Sequence, residues 1–85
     1  MEKYKIEIKE SAVKELDSIP RKDLKKIVQK IRFLSDNPRP NGCVKLSGRE
    51  RYRIRQGDYR ILYSIENEIL VVYVIKIGHR KEVYR

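Results

Sequence analysis

The residues best suited to chemistry lie in the second half of the chain. Arg51, Arg53 and Arg55 alternate along one short run, Arg60 follows in Tyr59-Arg60, and the last stretch reads Gly78-His79-Arg80-Lys81-Glu82-Val83-Tyr84-Arg85. Arginine offers phosphate a planar fork of donors that lysine lacks. Histidine moves protons near neutral pH, with an ordinary pKa of about 6.5. Metal-free cleavage of an RNA phosphodiester needs a base for the 2′-hydroxyl, cations for the charge gathering on phosphorus, and an acid for the departing 5′-oxygen. His79 is the one conventional acid–base candidate, and the arginines are the cations. Arg60 and Arg80 are expected on the scissile phosphate, with Arg53 and Arg55 holding the backbone or assisting the transition-state charge. Tyr84 is expected to stack on an unpaired base or to orient the 2′-hydroxyl. No carboxylate cluster points to a two-metal site, so neither metal nor cofactor is expected.

Charge supports this reading. The net charge is +9. Residues 39–60 carry seven basic side chains against two acidic, and residues 76–85 carry four against one. Residues 10–36 also hold seven basic side chains, but five acidic ones offset them, as on a solvated helix face. Charge concentrated in one region is the footprint of a polyanion binder. Cys43 is the only cysteine, so no internal disulfide can form. The reading is of a reduced, cytoplasmic protein with no membrane span or signal peptide.

Eighty-five residues make a single domain, 1–85. Tyr4, Ile6 and Ile8 alternate with charged residues and predict a half-buried strand. Val13, Leu16 and Ile19 predict a short amphipathic helix ended by Pro20. Leu24, Ile27, Val28, Ile31 and Leu34 form the stripe of a second helix, which stops near Asn37-Pro38 because a residue before proline resists the helical conformation. Pro38 to Gly42 is a loop, and Cys43 to Gly48 is ambiguous. Tyr52 and Ile54 face one way while Arg51, Arg53 and Arg55 face the other. Gln56-Gly57-Asp58 is a hairpin turn, with Asp58 a turn residue rather than an acid. Tyr59 to Ile65 is a strand, and Ile69 to Ile77, almost continuously apolar, is expected to be a central strand covered on both faces. The fold class is α+β. An antiparallel two-helix hairpin packs on a mostly antiparallel sheet of about four strands, in the order β-α-α-β-β-β, with a basic tail. Tyr52, Tyr59, Tyr63 and Tyr73 fall within strands and read as core or sheet residues. Three arginines on one strand face cannot all be buried, so they line an exposed face that Arg60, across the turn, can join. Gly78 would let the tail fold back, gathering Arg53, Arg55, Arg60, His79, Arg80 and Tyr84 into one concave basic site.

Four fragments in this order, Lys45-Leu46-x-Gly48, Tyr52-Arg53-Ile54-Arg55, Asp58-Tyr59-Arg60-Ile61-Leu62-Tyr63 and Gly78-His79-Arg80-x-x-Val83-Tyr84-Arg85, resemble the RelE/ParE superfamily of toxins, the last pointing most to the RelE branch. The resemblance implies a type II toxin–antitoxin toxin: a ribosome-dependent endoribonuclease that cuts mRNA in the A site and is neutralised by a cognate antitoxin. It implies site residues at Arg53, Arg55, Arg60, Arg80 and Tyr84, with Lys45, Arg49 and Arg51 docking on ribosomal RNA. One departure matters. Well-studied RelE members carry lysines where this chain has Arg53 and Arg55, and one of those lysines is assigned as the general base. Arginine holds its proton too tightly to be a good base, so either Arg55 acts electrostatically or the base lies elsewhere, with His79 available. The alternatives are a ParE-like inhibitor of DNA gyrase on the same fold and an inactive RNA-binding relative. An acidic antitoxin segment is expected to cover the arginine face.

Overall fold

The structure is a computed structural model that describes residues 3–46 and 50–79. The described elements run β1 (Lys5–Ile8), α1 (Glu10–Asp17), α2 (Arg21–Asp36), β2 (Val44–Leu46), β3 (Arg51–Gln56), β4 (Tyr59–Glu66) and β5 (Val71–His79). Pro20 caps α2 from outside, where its missing N–H costs nothing. The second helix ends at Asp36, before Asn37-Pro38, as the sequence predicts. The sheet has five strands in the order β1-β5-β4-β3-β2, so the ambiguous stretch after Cys43 supplies a short edge strand. β1 lies parallel to β5, and the other neighbours are antiparallel.

Both helices cover one face of the sheet. Ala12 and Ile19, with Ile27, Ile31 and Leu34 of α2, meet Tyr52, Ile54, Ile61, Tyr63, Ile65, Val72, Val74 and Ile77 in a single core. The strand β5 is not covered on both faces. Its Val72, Val74 and Ile77 are buried while Val71, Tyr73 and Ile75 are only half-buried, and Ile69 falls in the preceding turn, 70% exposed. A continuous apolar run hides this alternation, because side-chain type alone does not say which face the helices take.

Two polar ties fix the layers. The carboxylate of Glu15 on α1 accepts the Ile77 N–H at 3.0 Å and the Lys76 ammonium at 3.1 Å. It satisfies the edge of β5 beyond Val74, where the pairing with β1 ends. The phenol of Tyr63, 0% exposed, donates to the Pro38 carbonyl at 2.8 Å. Burial holds that phenol well above its ordinary pKa, and neighbouring Cys43 adds to the rise, so it stays a donor at any physiological pH. Tyr63→Phe leaves a buried carbonyl without its partner, at a cost of about 1–3 kcal/mol. A fall in melting temperature of roughly 4–8 °C per kcal/mol is expected, measurable by thermal circular dichroism.

Candidate functional site

Register builds the site. On β3 and β4 the cross-strand partners are Arg51 with Ser64, Arg53 with Leu62 and Arg55 with Arg60. Directly opposed residues point to the same side of a sheet, so Arg51, Arg53, Arg55 and Arg60 share the face away from the helices. Their partners in alternation, Tyr52, Ile54, Ile61 and Tyr63, are in the core. The arginine face foreseen from parity is therefore formed. Arg51 and Arg55 are exposed and Arg53 is half-buried. Arg60 is only 9% exposed, and its Nη1 donates to the Tyr59 carbonyl at 3.4 Å. An arginine already withdrawn from water has less solvation left to lose when a phosphate arrives.

A β-bulge decides what lies beside this row. Between Leu62 and Tyr63 the pairing with β5 shifts, so that Leu62 meets Lys76 while Tyr63 meets Val74, leaving Ile75 as the extra residue. Beyond the bulge, Arg60 pairs with Gly78 and Tyr59 with His79. The row across the sheet is thus Arg55, Arg60, Gly78, and the glycine adds no side chain to that face. His79 falls on the other side with Tyr59, their rings meeting edge-on at 5.7 Å between centroids. It lines a cleft of about 270 Å³ with Glu15, Ser18, Ile19, Tyr59, Ile77 and Gly78. The expectation that His79 joins the arginines on one concave face is corrected here. Simple alternation would have put it there, and the single inserted residue reverses the parity. Lys45 is likewise across the sheet from the arginines, paired in register with Tyr52. Arg49, Arg80 and Tyr84 lie outside the described residues, so the tail's part of the proposed site does too.

A second polar cluster, not foreseen from the sequence, anchors the start of the arginine strand. The Arg39 Nε donates to the Tyr52 phenol at 2.9 Å, that phenol donates to Glu50 at 2.8 Å, and Arg39 Nη2 reaches the same carboxylate at 3.1 Å. Lys45 adds an ion pair to Glu50 at 3.5 Å. The signal was an isolated acid, Glu50, inside a basic run. The hydrogen bond from Tyr52, then that from Arg39, holds the Glu50 carboxyl below its usual range. Arg39 is in turn raised, chiefly by its bond to Tyr52. A depressed carboxylate stabilises the fold above its unfolded pKa of about 4.3 and loses that contribution as pH falls through its lower folded value. Glu50→Gln should therefore flatten the acid side of the melting-temperature profile below about pH 4.3 relative to the native chain, read by thermal melts across acid buffers.

Comparison with known proteins follows the same geometry. Residues 6–84 match the family model described as the ParE toxin of the type II toxin–antitoxin system parDE. The chain belongs to this toxin family. Similar proteins include several named RelE. The chain is 30% identical over 87 aligned residues to the putative toxin RelE1 of Methanocaldococcus jannaschii, covering 98% of this chain and 97% of that protein. It superposes on the RelE–RelB complex from Pyrococcus horikoshii with a TM-score of 0.84 at 29% identity, covering 93% of this chain and 97% of that one. The isolated RelE toxin of E. coli gives a TM-score of 0.80 at 30% identity, with 95% and 90% covered. The two helices on a mostly antiparallel sheet are this family's toxin fold, and among the described residues no helix is long and apolar enough to cross a membrane.

Proposed function

We propose that this toxin is an endoribonuclease that cuts messenger RNA in the ribosomal A site, by attack of a 2′-hydroxyl on the adjacent phosphate. The observation that carries the reading is the row Arg55–Arg60, two guanidiniums in direct cross-strand register with Arg53 beside them. One phosphate lying across that row meets donors from two strands. The interaction grows as negative charge gathers on the pentacoordinate phosphorus, which is the condition for stabilising a transition state rather than a bound substrate. Arg51, Arg49 and Lys45 would hold ribosomal RNA. Arg80 and Tyr84 would complete the site from the tail. Arg55, a guanidinium and therefore a poor base, acts electrostatically. His79, turned away from the row by the bulge, would take part in proton transfer only if the RNA strand or the ribosome brought the reacting groups around the sheet end.

A cognate antitoxin is the second partner, in keeping with relatives that were crystallised as RelE–RelB complexes. An acidic segment laid over Arg51, Arg53 and Arg55 would neutralise the face that binds RNA, so association should weaken as salt rises.

The family description names ParE, which keeps a second reading in view: a toxin acting on DNA gyrase. Purified chain added to ribosomes programmed with a short message, beside a gyrase supercoiling reaction, separates the two. Cleavage of the message with unaffected supercoiling is expected. Blocked supercoiling with intact message would reject the nuclease reading.

A further inference from the structure

One surface is not used by the site above. On α2, Lys22, Lys26 and Lys30 recur every fourth residue, and Phe33 continues the same stripe. This stripe lies apart from Ile27, Ile31 and Leu34, which face the core. Phe33 is 48% exposed, outside the apolar face that Ile27, Ile31 and Leu34 present to the core. Among the described residues none of the three lysines is in an ion pair. A cleft of about 240 Å³ joins this stripe to the sheet: it is lined by Lys26, Gln29, Lys30, Phe33 and Gln56, and this described lining contains no carboxylate. Gln56 directly follows Arg55 and ends β3 at the hairpin. Gln56 pairs with Tyr59 on the helix side of the sheet, so the stripe reaches the hairpin end of the sheet one residue beyond Arg55, on the opposite face from the arginine row.

We propose that this cleft is a binding track for single-stranded RNA, guiding the strand that runs on from the phosphate held by Arg55 and Arg60. The inference rests on the nuclease reading and adds a place for the flanking nucleotides. Lysines at helical spacing suit a phosphate backbone. An exposed ring suits an unpaired base, because a base inside a duplex is already stacked and does not offer its face. The amide of Gln56 provides a donor and an acceptor at the point where the strand would turn from one face of the sheet to the other. An acidic protein segment would also fit the lysines, but it gives no reason for an exposed ring beside them at the hairpin end that follows Arg55.

The test measures fluorescence anisotropy of the full chain with uncleavable 2′-O-methyl oligoribonucleotides. One is about four nucleotides long and one about sixteen, the usual range of single-strand site sizes, and the longer is also used as a duplex. Expected is tighter binding of the long strand than of the short. Phe33→Ala should weaken the long strand about tenfold, in line with the loss of one stacked base, while leaving the short strand and the duplex unchanged. Phe33→Leu should behave like the alanine variant and Phe33→Trp like the native chain. Lys26→Ala and Lys30→Ala should each lower the salt dependence of long-strand binding by about one ion. Equal binding of long and short strands, no effect of Phe33→Ala, or an equal loss on the duplex would overturn the track. In each of these cases a loss on Arg55→Ala with both strands would leave the arginine row standing. Absence of RNA binding at either length would overturn the track, while cleavage on programmed ribosomes would still decide the nuclease reading. Weakened antitoxin binding by Phe33→Ala with RNA binding intact would assign the stripe to the protein partner and also overturn the track.

Discussion

Arg60→Ala should reduce the rate of message cleavage on programmed ribosomes by about a hundredfold to a thousandfold, the usual consequence of removing one preorganised donor from a developing anion. The loss should fall on the rate at saturation more than on the half-saturating ribosome concentration, because the interaction strengthens only as charge develops. The position of Arg60 makes the effect large. It stands between Arg55 on β3 and Gly78 on β5, and it is the most buried of the arginines on its face. A buried guanidinium also contributes packing, so the alanine variant could lose fold as well as charge. Arg60→Lys separates these effects. It keeps a cation on a long stem but loses the planar fork, and it should keep the native circular dichroism spectrum while recovering only part of the rate. Full activity in both variants would remove Arg60 from the chemistry.

Leu34→Ala should have the largest effect on the fold, a loss of about 3–5 kcal/mol. Leu34 is 0% exposed in the last turn of α2, within the core shared with the sheet. Domains have a net stability of only about 0.05–0.15 kcal/mol per residue, so a chain of 85 residues loses a large part of its total. Free toxin carrying this change should unfold at a much lower denaturant concentration and temperature than the native chain. A partner that binds only the folded form restores stability by mass action, so the same variant should be recovered folded when it is made with its antitoxin. An unchanged melting temperature would mean that the core does not close around α2 as described.

The sequence exposed the parts of the fold that follow local periodicity. The stripe Ile27, Ile31, Leu34, the stop before Pro38 and the alternation of Tyr52 and Ile54 with the arginines all appear in the structure as read, because each depends on residues a few positions apart. The short edge strand Val44–Leu46 carries only three residues of pattern and is held by pairing with β3, so local sequence leaves it undecided. The placement of His79 was illegible for a different reason. A bulge at Ile75 is set by how two strands settle against each other and the core, and it reverses the facing of every residue after it. The cluster of Arg39, Tyr52 and Glu50 joins a loop to a strand, which a linear scan for motifs does not connect. The cross-strand pairing of Arg55 with Arg60 follows from the turn between them: they flank a hairpin at Gly57-Asp58, and Gly57 takes a φ of 61°, which glycine adopts without strain.

In the proposed function, the arginines on the open face of the sheet act on messenger RNA as it is translated. Mapping the 5′ ends of ribosome-bound messages after inducing the chain without an antitoxin tests it most directly. New ends inside coding regions, absent when Arg55→Ala or Arg60→Ala is induced to the same level, are the predicted result. Growth arrest with intact messages, or the same new ends in both arginine variants, would contradict it.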